Sequence, residues 1–158
     1  MKGNEKLLET LNALLADELT AINQYMVHSE MCDDWGYEAL HKLIEKRAID
    51  EMKHAEKLIG RILYLEGRPI VSVLNPIHIG AEIQAQHQND WNAEEAAIKA
   101  YNAAIRLAGE VGDNGTRSFL ESILADEEAH IDWIETQLGQ IEQLGAQRYL
   151  SHLRGQAE

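Results

Sequence analysis

Glu18, Ala21, Ile22 and Tyr25 recur as Glu94, Ala97, Ile98 and Tyr101, and Asp50, Glu51 and His54 recur as Asp126, Glu127 and His130. Every pair is separated by 76 positions, so two halves of the chain repeat one pattern. Four carboxylates and two imidazoles, supplied symmetrically by two copies of one unit, form the ligand set of a carboxylate-bridged dinuclear metal centre. On a helix, residues three apart lie about 60° apart around the axis, so Glu51 and His54 project from one face, as do Glu127 and His130. Each such pair can grip one ion.

Spacing alone is cheap, because a chain with 7 His among 158 residues and this many glutamates produces about one Glu-x-x-His pair by chance. Glu38 and His41 are such a pair, with Asn114 and Arg117 at the repeat positions, and read as solvated surface residues. The other six are distinguished by context. Glu18 interrupts the apolar line Leu11, Leu14, Ile22; Glu51 interrupts Ile44, Ala48, Ala55, Leu58; Glu94 follows Trp91 and precedes Ile98; Glu127 interrupts Leu120, Ile123, Ile131, Ile134. An ionised carboxylate on such a stripe costs several kcal/mol (order of magnitude) unless it is paired or metal-bound. Oxygen-rich ligation with one imidazole per ion favours iron or manganese, iron first, with zinc able to occupy the same site. Asp50 and Asp126 suit acceptors for the imidazole N–H of the opposite histidine. Tyr25 and Tyr101, two turns beyond Glu18 and Glu94, suit donors to the ligand carboxylates.

These residues need a scaffold of helices. Apolar residues recur at helical spacing from Leu7 to Met26, marking a helix that ends near Trp35-Gly36. A second runs from about Tyr37 to Leu65 and a third from Ala81 to Val111. A fourth begins after the turn Gly112-Asp113-Asn114-Gly115 and ends near Gly145, and a short fifth follows from Ala146 to about Leu153. The only β-like run, Ile70 to Leu74, lies between the two prolines, Pro69 and Pro76. Short connections at Gly36 and Gly112, again 76 apart, make antiparallel hairpins. The segment from about 66 to 80 is long enough to run the length of a bundle. The expected fold is all-α, an antiparallel four-helix bundle of two hairpins joined by one long crossover, in a single domain over 1–158.

The net charge of −13 argues against nucleic acid, whose phosphates are bound by clustered Lys and Arg, and makes cations the natural partners. No apolar run approaches the ~20 residues of a membrane span. The opening Met-Lys-Gly-Asn-Glu lacks the apolar core of a signal peptide, so cytoplasmic residence is expected. Cys32, the only cysteine, excludes an internal disulfide and reads as a small buried residue.

Over nearly its whole length the chain resembles bacterioferritin. The segments that carry the resemblance are the opening Met-Lys-Gly, Glu18 to Tyr25, Asp33-Asp34-Trp35-Gly36, Asp50 to Ala55, Arg61 to Gly67 and Asp126 to Asp132. The resemblance implies a ferritin-like bundle, a homo-oligomeric cage of 24 subunits storing ferric mineral, and a ferroxidase centre in each subunit. Carried over by position, Glu18, Glu51, His54, Glu94, Glu127 and His130 hold two iron ions per subunit, with Glu51 and Glu127 bridging and Tyr25 beside them. Met52 matches the axial ligand of a haem b shared between two subunits, which relays electrons from a bacterioferritin-associated ferredoxin for iron release. Asp34, Glu66 and Asp132 resemble acids lining a pore between subunits. Lys46 stands where some members carry the histidine of an inner-surface iron site, and Arg47 adds positive charge nearby, which puts that site in doubt. A rubrerythrin-like peroxidase is disfavoured by the single cysteine, a dimanganese catalase is separable by metal content, and a DNA-protecting mini-ferritin is disfavoured by the acidic charge.

Overall fold

The computed structural model describes residues 1–154 and contains five helices among them. They are α1 (Glu5–Asp34), α2 (Glu38–Tyr64), α3 (Ile83–Glu110), α4 (Asn114–Leu144) and α5 (Ala146–Ser151). Local chemistry sets the ends. Asn4 accepts the Leu7 amide at 3.0 Å and caps α1. Asp113 does the same for the Thr116 amide at 3.0 Å, which starts α4 at Asn114, inside the four residues read from sequence as a turn. The hairpin glycines Gly36 and Gly112 have φ of 85° and 78°, a left-handed conformation that a side chain at Cβ disfavours. The helical repeat is therefore punctuated by a conformational one.

The two hairpins pack with α1 antiparallel to α3 and α2 antiparallel to α4, as cross-bundle contacts such as Tyr25 with Glu94, Tyr101 with Glu18 and His54 with Asp126 require. The apolar core is divided. One cluster, built on Leu11, Leu15, Leu58, Ile62, Ala104 and Leu120, fills one end of the bundle. The other, with Cys32, Leu40, Ile44, Ile83, Ile141 and Tyr149, fills the opposite end. Burial raises the Cys32 thiol pKa to about 12, so it remains an inert core group. Between the two clusters lies a layer of buried acids and histidines.

The crossover from Leu65 to Glu82 is extended but forms no strand, even at the β-like run 70–74. It runs parallel to α1 and is fastened to it at regular intervals by polar side chains. Asn12 bonds Arg68 O and Ile70 N at 3.1 and 2.8 Å, Thr20 Oγ1 accepts from Asn75 N at 2.9 Å, Gln24 Oε1 from His78 N at 3.1 Å, and His28 Nε2 from Gly80 N at 2.9 Å. Asn12, Thr20, Gln24 and His28 are whole multiples of four residues apart, so one stripe of α1 faces the strap. An extended segment with no ladder of its own thus has its backbone groups satisfied by a neighbouring helix. No helix among the described residues is long and apolar enough to cross a membrane.

Candidate metal centre

All six repeat residues converge in the polar layer. Glu18, Glu51 and Glu127 are at most 2 % exposed, as is His54, and Glu94 is 1 % exposed. Two overlapping groups have ligand atoms that all lie within 4.8 Å of one another: Glu18, Glu51, His54 and Glu127, and Glu51, Glu94, Glu127 and His130. Glu51 and Glu127 belong to both, so they stand between the two positions an ion could take. His54 Nδ1 lies 2.9 Å from Glu127, 3.4 Å from Glu51 and 3.7 Å from Glu18. His130 Nδ1 lies 3.2 Å from Glu51, 3.4 Å from Glu94 and 3.6 Å from Glu127.

These are close approaches, not aligned hydrogen bonds. Glu18 Oε2, Glu51 Oε1, His54 Nδ1, Glu94 Oε2, both Glu127 oxygens and His130 Nδ1 are buried without a hydrogen-bond partner. The second polar atoms of Glu18, Glu94, His54 and His130 are held by neighbours, whereas neither Glu127 oxygen has a hydrogen-bond partner. The Nε2 of His54 reaches Asp126 at 2.8 Å and that of His130 reaches Asp50 at 3.2 Å, so each imidazole is oriented from the opposite hairpin. Tyr25 donates to Glu94 at 2.7 Å and Tyr101 donates to Glu18 at 2.6 Å. The 76-residue symmetry of the sequence is therefore a symmetry of contacts.

Without a cation this arrangement is electrostatically unsatisfied. Burial, reinforced by the charges of Glu18, Glu94 and Glu127, holds the Glu51 carboxyl well above the usual range, and burial with the contact to Glu127 raises Glu94 to about 8. At His130 burial opposes the charge, but contacts with Glu127, Glu51 and Glu94 outweigh it and raise the imidazole to about 12. His54 moves the same way, burial being outweighed by Glu127, Glu18 and Glu51. At Glu127 burial is outweighed by its contacts with Glu94, His130 and His54, and its carboxyl is lowered. The shifts at Glu51, Glu94, His54 and His130 run in the direction that adds positive charge to the cluster, the charge that divalent cations would supply. Burial and the Glu94 charge keep Tyr25 a phenol that donates, and burial and Glu18 do the same for Tyr101.

Two cavities adjoin the cluster. One of about 400 Å³, beside the crossover, is lined by Glu18, Glu51 and Glu94 and by Asp17, Asn75 and His78. Burial and the neighbouring Glu18 raise Asp17 to about 6. The other, about 140 Å³, lies between α2 and α4 and is lined by Lys46, Arg47, Asp50, His130 and Trp133. Lys46 pairs with Asp50 at 3.2 Å, which occupies the aspartate that an inner-surface iron site would need.

Arg47 departs from its sequence reading. It lines the α2–α4 cavity but is buried, paired with Asp90 and stacked 4.4 Å from the Tyr25 ring centroid and 5.6 Å from that of Trp133. Asp90 also accepts from His28 Nδ1 at 2.9 Å and Gln24 Nε2 at 2.8 Å. This buried network was not legible in the repeat, yet the repeat contains its trace. The positions 76 away from His28, Arg47 and Asp90 are Ala104, Ile123 and Leu14, all in the first apolar cluster. A polar residue whose counterpart is apolar is the signal that marks it.

Met52 is 44 % exposed on α2, next to the buried Glu51, and Ile49 on the same helix is 41 % exposed. Asp34, Glu66 and Asp132 are exposed as well, Glu66 within 3.3 Å of the N-terminal ammonium. Glu38 pairs with Lys42 at 3.0 Å and belongs to neither ligand group.

Two hairpins, a long crossover and a carboxylate-rich cluster in mid-bundle define a ferritin-like protein. The family model for a ferritin-like domain matches residues 8–144. The chain is 42 % identical to the bacterioferritin of Rhodobacter capsulatus over 149 residues, 94 % of this chain and 92 % of that one. It is 39 % identical to the bacterioferritin of Brucella melitensis biotype 1 and 41 % identical to that of Mycolicibacterium paratuberculosis, covering 92 % and 94 % of those proteins. The chain belongs to the bacterioferritin family.

Proposed function

We propose that this iron-storage protein oxidises Fe(II) at the mid-bundle cluster and stores the ferric product in a cage of 24 copies. The observation that carries the reading is the convergence of seven buried, unpartnered ligand atoms from Glu18, Glu51, His54, Glu94, Glu127 and His130. Leaving one such group unsatisfied costs about 1–3 kcal/mol, so a set of this size is retained for a cation that satisfies all of them together. Fe(II) is the substrate. The acidic cavity beside the crossover favours its approach, whereas Lys46 guards the α2–α4 side.

Glu51 and Glu127 hold the two ions at one separation, Glu18 with His54 and Glu94 with His130 complete each half, and the phenols of Tyr25 and Tyr101 fix the terminal carboxylates. Each Fe(II) gives up one electron, and the pair together reduces one molecule of dioxygen or peroxide by two electrons. The protons held at Glu51, Glu94 and the imidazoles leave as the cations bind. Haem fits this chain at Met52, whose thioether is exposed in the single subunit and so available to a group shared with a second one. When bound, haem supplies one-electron transfer between a bacterioferritin-associated ferredoxin and the stored iron.

Rapid mixing of the metal-free assembly with Fe(II) and dioxygen tests the reading. About two Fe(II) per subunit are expected to oxidise in a fast phase, by the ligand count for two ions. Glu127→Ala, which removes the carboxylate common to both groups, abolishes that phase and leaves the assembly intact. A Glu127→Ala variant that oxidises iron at the parent rate overturns the assignment.

A further inference from the structure

His41 takes no part in the cluster and, at 16 % side-chain exposure, is not the solvated residue its spacing from Glu38 suggests. Its Nδ1 lies 3.0 Å from the carbonyl oxygen of Ser29 on α1. The Ser29 hydroxyl oxygen lies 3.2 Å from the same nitrogen, so both contacts of the ring fall on Nδ1; with the hydrogen on Nδ1, Nε2 of the neutral ring keeps its lone pair. That nitrogen makes no hydrogen bond among the described residues and stands 3.7 Å from Glu45 Oε2, one turn further along α2. Glu30, reaching across from α1, completes a group whose three ligand atoms all lie within 4.8 Å of one another. We propose that Glu30, His41 and Glu45 bind one divalent first-row transition-metal ion, at a site separate from the dinuclear cluster.

Three features point to a metal and not to a solvated triad. A histidine whose one nitrogen is engaged by a backbone carbonyl and a hydroxyl while the other is left free has the fixed ring orientation of a metal-bound imidazole. Two carboxylates facing an imidazole lone pair repel it unless a cation lies between them. The neighbouring lysines are otherwise engaged, Lys42 with Glu38 at 3.0 Å and Lys46 with Asp50 at 3.2 Å. Bonds of roughly 2.0–2.2 Å to nitrogen and oxygen place ligand atoms about 3–3.5 Å apart, a small contraction from the present geometry. Glu45, 51 % exposed at its side chain, is free to make that movement, while His41 is 16 % exposed and held. One imidazole and two carboxylates suit Zn(II) and Fe(II), and the remaining coordination positions stay open to water, so the ion exchanges.

Equilibrium binding of Zn(II) to the assembled protein, counted per subunit by calorimetry or dialysis with metal analysis, tests the site. Zn(II) also occupies the dinuclear cluster, so the readout is the difference between parent and variant, and it stands whether or not that cluster takes two ions. His41→Ala and Glu45→Gln are each expected to bind one ion fewer per subunit than the parent. Glu45→Gln leaves the imidazole and its bond to Ser29 in place, so its loss reports ligation and not packing. The fast phase of Fe(II) oxidation is unchanged in both variants. Equal stoichiometry in the parent and Glu45→Gln overturns the proposal.

Discussion

Each imidazole of the cluster is aimed by an aspartate on the far hairpin, and the two contacts differ in a way that sets their value. Asp126 meets His54 at 2.8 Å but is 56 % exposed, whereas Asp50 meets His130 at 3.2 Å, is 26 % exposed and is shared with Lys46. Removing such an orienting acceptor weakens metal binding by about 10–100-fold, and water can replace an exposed one in part. Asp126→Ala is therefore expected near the lower end, about 10-fold weaker at the His54 position, as read by competitive titration with Zn(II). Undiminished affinity would assign the ring orientation to packing alone. The six cluster residues were legible because the four glutamates put charges on apolar stripes, the two histidines follow Glu51 and Glu127 at helical spacing, and each has a partner 76 positions away. Met52 had neither signal: Glu128 stands at its repeat position, and only resemblance marked it. The buried partner of Arg47 was not legible either, because the length of its side chain lets a residue beside a surface lysine turn inward to Asp90.

At the scale of elements, hairpin glycines and apolar period locate the helices to within a few residues. What they leave out is how the pieces without periodicity are held. The crossover has no pattern of its own, and its register comes from Asn12, Thr20, Gln24 and His28 on α1, which in sequence are ordinary polar residues. Docking of α5 is similar. Tyr149 gives its hydroxyl hydrogen to Gln137 at 2.7 Å, so His87 Nε2, 3.0 Å away, must donate to the Tyr149 oxygen. His87 Nδ1 is then buried and unpartnered. Burial first, and the Arg47 charge second, lower His87 to about 4, against about 6.5 in an unfolded chain. Between those values the unfolded chain binds more protons than the folded one. The stability that neutral His87 confers is therefore complete above about pH 6.5 and declines as pH falls toward 4, by roughly 3 kcal/mol at most. Thermal unfolding of the metal-free protein should show a falling midpoint from pH 7 to 4.5. In His87→Gln, which retains a donor for Tyr149 without a titrating nitrogen, that fall should be shallower. Parallel pH profiles in the two proteins would exclude His87 as its source.

The single chain leaves much apolar surface to be covered by others. Ile70, Val71, Val73 and Leu74 on the crossover are each at least 44 % exposed, and Met26, Ile49 and Met52 on the first hairpin at least 41 %. Apolar exposure on this scale in a protein of net charge −13 belongs to an assembly and not to an isolated subunit. The pseudosymmetry of the chain also limits what the assembly can build. Both hairpins carry cluster residues, so both candidate ligand groups are complete within one subunit, but only the first hairpin carries a methionine beside its buried glutamate. A haem held by two Met52 thioethers therefore needs two copies of the first hairpin facing each other. Met52→Leu nearly conserves volume and apolarity, so packing between subunits should survive while the sulfur lone pairs are lost. The variant is expected to elute at the size of the parent assembly with its haem absorption band lost or shifted. Met26→Leu, at the other exposed methionine of this hairpin, should keep the band. An unchanged haem spectrum in Met52→Leu would remove Met52 as the ligand, and a band lost only together with the assembly would show that the methionine holds the subunits and not the haem.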